Sequence, residues 1–231
     1  MSKPDPHLPL QDSIAAVLFD LDGTLMDTDD QLVAKFSKWF RWLHPARAQR
    51  LARHLVMAFE TPVNGFITWL DRLGIDAPLM NFWQRLGRKK KDHTHAFTLM
   101  PGVPEMLKTL KGRYRLAVVT TRSEAEATAF LREHHLQELF ELVVSRTSTR
   151  RLKPHPEPIL FAARELNLPV SRCLMVGDTT PDIRSAHSAG APSVGVLCGY
   201  GTREELEKAG AAVVLEQVQD VVHWLMDGDA R

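Results

Sequence analysis

A short apolar run, 14–19, ends in two carboxylates, Asp20 and Asp22, followed by Gly23. No other stretch limits the folds open to this chain as much. The run is partly β-branched and aromatic, the composition of a buried strand. Side chains two apart on an extended chain point the same way, so Asp20 and Asp22 can share one face. Gly23 lets the chain turn sharply just after them. Carboxylates at the carboxyl end of a buried strand lie where open α/β sheets keep their ligands. At about 4 Å and an effective dielectric of about 20, the two acids repel by roughly 4 kcal/mol. A proton or a cation must offset that. Oxygen ligands with no nearby His or Cys favour a hard ion such as magnesium.

After Pro101 the chain alternates between helix and strand patterns. Helices are expected at 103–111, 124–135, 157–167 and 181–189. Strands are expected at 114–119, 140–145, 173–177, 193–197 and 213–215, with one helix before the last strand and one after it. Such alternation implies an α/β fold with a parallel sheet and helices on both faces. The strand at 14–19 must join that sheet across the segment in between. From 29 to 94 the periodicity is helical throughout, with stripes such as Leu32, Phe36, Phe40 and Leu43 closed by Pro45. This predicts a compact all-α insertion of four helices, holding Trp39, Trp42, Trp69 and Trp83, placed over the two aspartates. The core is then 14–28 with 95–231, and 1–13, carrying Pro4, Pro6 and Pro9, is a flexible tail.

The 231 residues suit one domain, or a core with a small inserted one. Lys and Arg number 29 against 28 Asp and Glu, so charge makes no case for nucleic acid or an anionic membrane. The longest uncharged stretch, between Arg184 and Arg203, is too broken by glycine and proline to span a bilayer. Cys173 and Cys198 form no metal spacing and read as small buried hydrophobes, consistent with a reducing cytoplasm. The basic run 85–91 reads as a solvated helix end, or as a patch that attracts phosphorylated substrates.

Three further strand ends carry chemistry. Thr120 and Thr121 follow the apolar run 115–119, where a hydroxyl and backbone N–H groups can hold a phosphoryl oxygen or cap a helix. Lys153 stands in Lys153-Pro154-His155-Pro156-Glu157-Pro158, a stiff turn that can place an ammonium against phosphate and carboxylate. Gly177-Asp178-Thr179-Thr180-Pro181-Asp182-Ile183 ends another strand, with Pro181 suited to a first helical turn.

Asp20-Leu21-Asp22-Gly23-Thr24-Leu25, then Thr120, then Lys153-Pro154, then Gly177-Asp178 with Asp182, resemble in order the four motifs of the haloacid dehalogenase superfamily. The nearest likeness is to its phosphoglycolate-phosphatase-like branch. The resemblance implies a Rossmann-like core and a helical cap at the insertion. It also implies Mg2+-dependent hydrolysis of a phosphate monoester. Asp20 is then the nucleophile and Asp22 the acid–base. Thr120 or Thr121, with Lys153, binds phosphate. The metal is held by Asp20, the Asp22 carbonyl and Asp178, with Asp182 as ligand or support. Gly65, in the loop 61–65, matches the cap loop that meets substrate; a plain interhelical turn is the other reading. The resembling dehalogenases and phosphonate-cleaving enzymes lack the acid at Asp22. The expected substrate is a small phosphorylated metabolite such as 2-phosphoglycolate, with a nucleotide, a sugar phosphate or pyrophosphate also open. A sugar phosphomutase or a non-catalytic regulatory protein on this fold is the alternative. The expected enzyme is cytoplasmic, a monomer or homodimer, without nucleic-acid or membrane partners.

Overall fold

Ala16–Phe19 (β1) is buried at every residue and pairs on both sides with parallel strands. Strands on either side cover its edges and helices on both faces of the sheet cover its faces, which explains its unbroken apolar run. The computed structural model describes residues 10–27 and 98–227. The chain divides into Met1–Asp29 with Thr98–Arg231, and Asp30–Phe97; the described residues belong to the first unit. The expected helical insertion with its tryptophans, Gly65 and the basic run 85–91 lies outside them, as does the tail through residue 9.

A helical turn, Leu10–Ser13 (α1), precedes β1. A short antiparallel pair, Met26–Asp27 (β2) and Thr98–Leu99 (β3), follows. Then come Val103–Lys111 (α2), Arg115–Val119 (β4), Glu124–Glu133 (α3), Leu142–Val144 (β5), Glu157–Glu165 (α4), Cys173–Gly177 (β6), Thr180–Ala189 (α5), Ser193–Val196 (β7), Arg203–Ala209 (α6), Val213–Leu215 (β8) and Asp220–Asp227 (α7). The six long strands form one parallel sheet in the order β5-β4-β1-β6-β7-β8.

The expected α/β architecture is therefore present, with ends shifted by a residue or two. Two features differ from the sequence reading. Leu10–Ser13 is helical where a loose tail was expected, and the Arg172 guanidinium donates to the Ser13 carbonyl at 3.0 Å. The β2–β3 pair was not foreseen, because two residues are too few to show alternation.

One face of the sheet packs Ala16, Leu18, Ala117, Val119 and Met175 against Ile159, Ala162, Ala163 and Ala186 of α4 and α5. The other receives α2, whose Val103, Met106, Leu107 and Leu110 are buried. Caps set several helix starts. Ser123 and Glu126 form a reciprocal capping box at α3, and Thr202 and Glu205 form another at α6.

Strand order places the chemistry. The chain moves from β1 to β4 and β5 on one side, then crosses to β6 on the other. The carboxyl ends of β1, β4 and β6 are thus neighbours at the point where the order reverses, where such sheets open a crevice. Leu18 is fully buried, whereas Leu160 is 46% exposed. Leu18→Ala is expected to cost about 2–5 kcal/mol in urea unfolding followed by circular dichroism, and Leu160→Ala under about 0.5 kcal/mol. Equal losses would contradict this placement of the core.

Candidate active site

Asp20 leaves β1 with its N–H donating to the Val176 carbonyl at 3.0 Å. Asp178 follows β6 directly, and Asp182 lies in the first turn of α5. The three carboxylates are buried, and one oxygen from each falls within 4.8 Å of the others. Lys153, from the segment between β5 and α4, is buried with them. Its Nζ donates to Asp20 Oδ1 at 2.6 Å, Asp182 Oδ1 at 2.6 Å and the Val119 carbonyl at 2.9 Å. An ammonium has three N–H donors, and all three are used here. Lys153 therefore faces a phosphate by charge, unless one of these bonds is exchanged.

Asp178 sits in a cradle that two glycines keep open. A Cβ at Gly23 or at Gly199 would collide with Asp178 Oδ2. Gly23 also has φ of +75°, a left-handed conformation open to glycine at little cost. The Thr24 hydroxyl donates to Asp178 Oδ1 at 2.9 Å, and the Tyr200 N–H to Oδ2 at 2.9 Å. At the head of α5, the Thr179 hydroxyl donates to Asp182 Oδ2 at 2.6 Å. This bond and the Thr179 N–H turn the other Asp182 oxygen toward Lys153.

Three buried carboxylates against one ammonium leave two negative charges in excess. Burial pushes the Asp20 pKa well above its usual value; Lys153 pulls it down, while Asp182, Asp178 and Asp22 push it up. Burial, reinforced by Asp182, raises Asp178 to about 8 against the pull of the Tyr200 N–H and the Thr24 hydroxyl. Burial opposes the charge on Lys153, but Asp182 and Asp20 outweigh it and hold its pKa above the ordinary value. The excess charge, the all-oxygen donor set and the lack of His or Cys in the cluster among the described residues fit a hard divalent cation.

Asp22 does not join the trio. The chain is no longer extended past Phe19, so the two aspartates do not stand side by side about one cation. Arg122 Nε donates to Asp22 Oδ2 at 2.7 Å, and Arg122 Nη2 to Asp22 Oδ1 at 2.6 Å. Thr120 is buried after β4, with its Oγ1 accepting the Arg122 N–H at 3.1 Å; Thr121 is half-buried. Cys173 is buried, as expected for a small hydrophobe, and burial raises its thiol to about 11. Cys198 is half-buried beyond β7, its Sγ 3.4 Å from the Gly23 carbonyl, rather than inside a strand. Sequence reasoning missed Arg122, Thr24 and Tyr200. Their partners lie far along the chain, and no spacing rule joins them.

These shifts have a sign. The folded Asp178 pKa of about 8 exceeds its ordinary 3.8. In the metal-free protein the folded state binds the extra proton, so this group's contribution to stability falls as pH rises across that window. A bound divalent cation would replace those protons. Melts followed by circular dichroism should show a larger gain in Tm from added Mg2+ at pH 8 than at pH 6. An equal gain at both would contradict the coupling.

Comparison with known proteins agrees with this geometry. Residues 17–196 match the model of the haloacid dehalogenase-like hydrolase family. The chain is 32% identical over 211 residues to a probable phosphatase, IndB, of Dickeya dadantii, covering 89% of this chain and 91% of that one. It is 30% identical over 196 residues to the pyrophosphatase PpaX of Halalkalibacterium halodurans, covering 83% and 86%. It is 27% identical over 224 residues to a phosphoglycolate phosphatase of Pseudomonas savastanoi, covering 93% and 81%. Among solved structures, a hydrolase from Pseudomonas syringae superposes with a TM-score of 0.66 at 28% identity, covering 94% of this chain and 100% of that one. Among the described residues, no helix is long and apolar enough to cross a membrane. The chain belongs to the haloacid dehalogenase-like hydrolases and is a phosphatase of that family.

Proposed function

We propose that the enzyme hydrolyses a phosphate monoester of a small metabolite, with 2-phosphoglycolate the leading candidate, using Mg2+ and an aspartyl-phosphate on Asp20. The reading is carried by the buried trio of Asp20, Asp178 and Asp182, bound to one lysine at the crevice of the sheet. Asp20, Asp178 and Asp182 would hold the cation, along with the Asp22 carbonyl. When bound, Mg2+ supplies positive charge that lets an anionic nucleophile and an anionic phosphoryl group approach.

Asp20 attacks phosphorus and the ester P–O bond breaks. Asp22 gives the departing oxygen a proton, then takes one from the water that frees phosphate. Lys153 keeps an Asp20 oxygen fixed and offsets phosphoryl charge. Thr120, with Thr121 beside it, offers hydroxyl and backbone donors to the phosphoryl oxygens. The segment 29–94, with Gly65, is assigned to a cap that sets specificity. A cytoplasmic setting suits a small-metabolite phosphatase.

The test is phosphate release with Mg2+ from a panel of 2-phosphoglycolate, pyrophosphate, a sugar phosphate and a nucleoside monophosphate. Asp20→Asn should lower kcat by about 10³-fold or more while folding normally, and chelation of the metal should stop release. Release that survives Asp20→Asn would remove Asp20 from the nucleophile role. Isomerisation of a sugar phosphate without net release would replace hydrolysis with a mutase reaction.

A further inference from the structure

The Asp22–Arg122 pair poses a mechanical problem. Both oxygens of the Asp22 carboxylate are taken by the guanidinium, at 2.6 and 2.7 Å. An acid–base group cannot reach an ester oxygen while both of its own oxygens are held. Yet the pair lies only partly buried, with Arg122 and Asp22 side chains 22% and 26% exposed, so an incoming molecule can reach it.

Arg122 is the anchored partner. Its N–H donates to Thr120 Oγ1 at 3.1 Å, and its carbonyl accepts the Arg146 N–H at 2.9 Å. The next residue, Ser123, caps α3. The backbone that carries the guanidinium is thus tied to β4 and α3. A planar guanidinium fork binds carboxylate and phosphate groups with two parallel bonds, as it binds Asp22.

We propose that Arg122 is a specificity-determining latch. A second anionic group on the substrate takes over the guanidinium fork from Asp22, and the freed Asp22 side chain turns to the ester oxygen, to which it gives a proton as the P–O bond breaks. This rests on the phosphate-ester reading and names the substrate class of the same site: a compact molecule bearing a phosphoryl group and a second anion a few bonds away. Asp20 and Asp22 are two residues apart, so their backbones lie at most about 7 Å from each other, which bounds the reach. The guanidinium exchanges one anionic partner for another and keeps its charge paired. The substrate's second anion then raises kcat as well as lowering KM, because binding it completes the site.

The test compares 2-phosphoglycolate with ethyl phosphate, which carries a methyl group in place of the carboxylate. In the wild type with Mg2+, kcat for 2-phosphoglycolate should exceed that for ethyl phosphate. In Arg122→Met the ratio of the two kcat/KM values should fall by roughly 10²-fold. Arg122→Lys should restore part of the KM but little of the kcat advantage, since a point charge lacks the fork. Equal slowing of both esters in Arg122→Met, or equal kcat for both in the wild type, would overturn the latch while leaving the phosphatase reading intact. No release from either ester, or from the wider panel, would defeat the phosphatase reading itself.

Should Arg122→Met fail to fold, calorimetry on Asp22→Asn carries the same question. Removing the competing carboxylate charge should tighten binding of 2-phosphoglycolate and leave ethyl phosphate unchanged. Equal changes for both ligands would overturn the proposal.

Discussion

The ammonium of Lys153, bound at once to Asp20, Asp182 and the Val119 carbonyl, is the interaction on which the rest of the site depends. It joins three parts of the chain: the end of β1, the end of β4 and the head of α5. Each partner is buried. Loss of one member of such a cluster strands the others in a medium that solvates charge poorly, at a cost of about 3–5 kcal/mol for a buried pair. The parallel order β4-β1-β6 makes the contact possible, because it sets the three ends side by side.

The cluster still carries more negative than positive charge. Lys153 cannot satisfy Asp178, whose oxygens are held instead by the Thr24 hydroxyl and the Tyr200 N–H in a cradle lined by Gly23 and Gly199. Those donors are neutral and fix the carboxylate without cancelling its charge. That excess disfavours full ionisation, as the raised pKa values of Asp20 and Asp178 express. A divalent cation resolves it by binding. One arrangement thus serves structural balance and chemistry together: the fold bears a cost that ligation offsets.

Much of this was legible in the sequence. Asp20, Thr120 and Asp178 each follow an apolar run, Lys153 stands before Pro154 and Asp182 follows Pro181, and together they pointed to the sheet and to residues at its crevice. Alternation located β4, β6 and β8 to within a residue, since buried parallel strands are continuous apolar runs. The turn at Leu10–Ser13 and the β2–β3 pair escaped because four and two residues carry no period. The Asp22–Arg122 pair escaped for a different reason. Its partners are 100 residues apart, and an arginine before a helix cap looks like a solvated one. Where two charges meet across a crevice, only the packed sheet shows it. The reading of Asp20 and Asp22 as neighbours about one cation assumed extended chain beyond Phe19, where the backbone turns.

On the proposed mechanism, the crevice transfers a phosphoryl group to Asp20 rather than directly to water. Rapid acid quench of wild-type enzyme turning over 2-phosphoglycolate, or the best ester of the panel, followed by peptide mass spectrometry, tests it directly. Transfer to Asp20 predicts a phosphoryl adduct on the peptide that contains it, formed within the first turnover and lost with continued incubation. Steady release of phosphate with no adduct at any time, under conditions that preserve an acyl-phosphate standard, would contradict it.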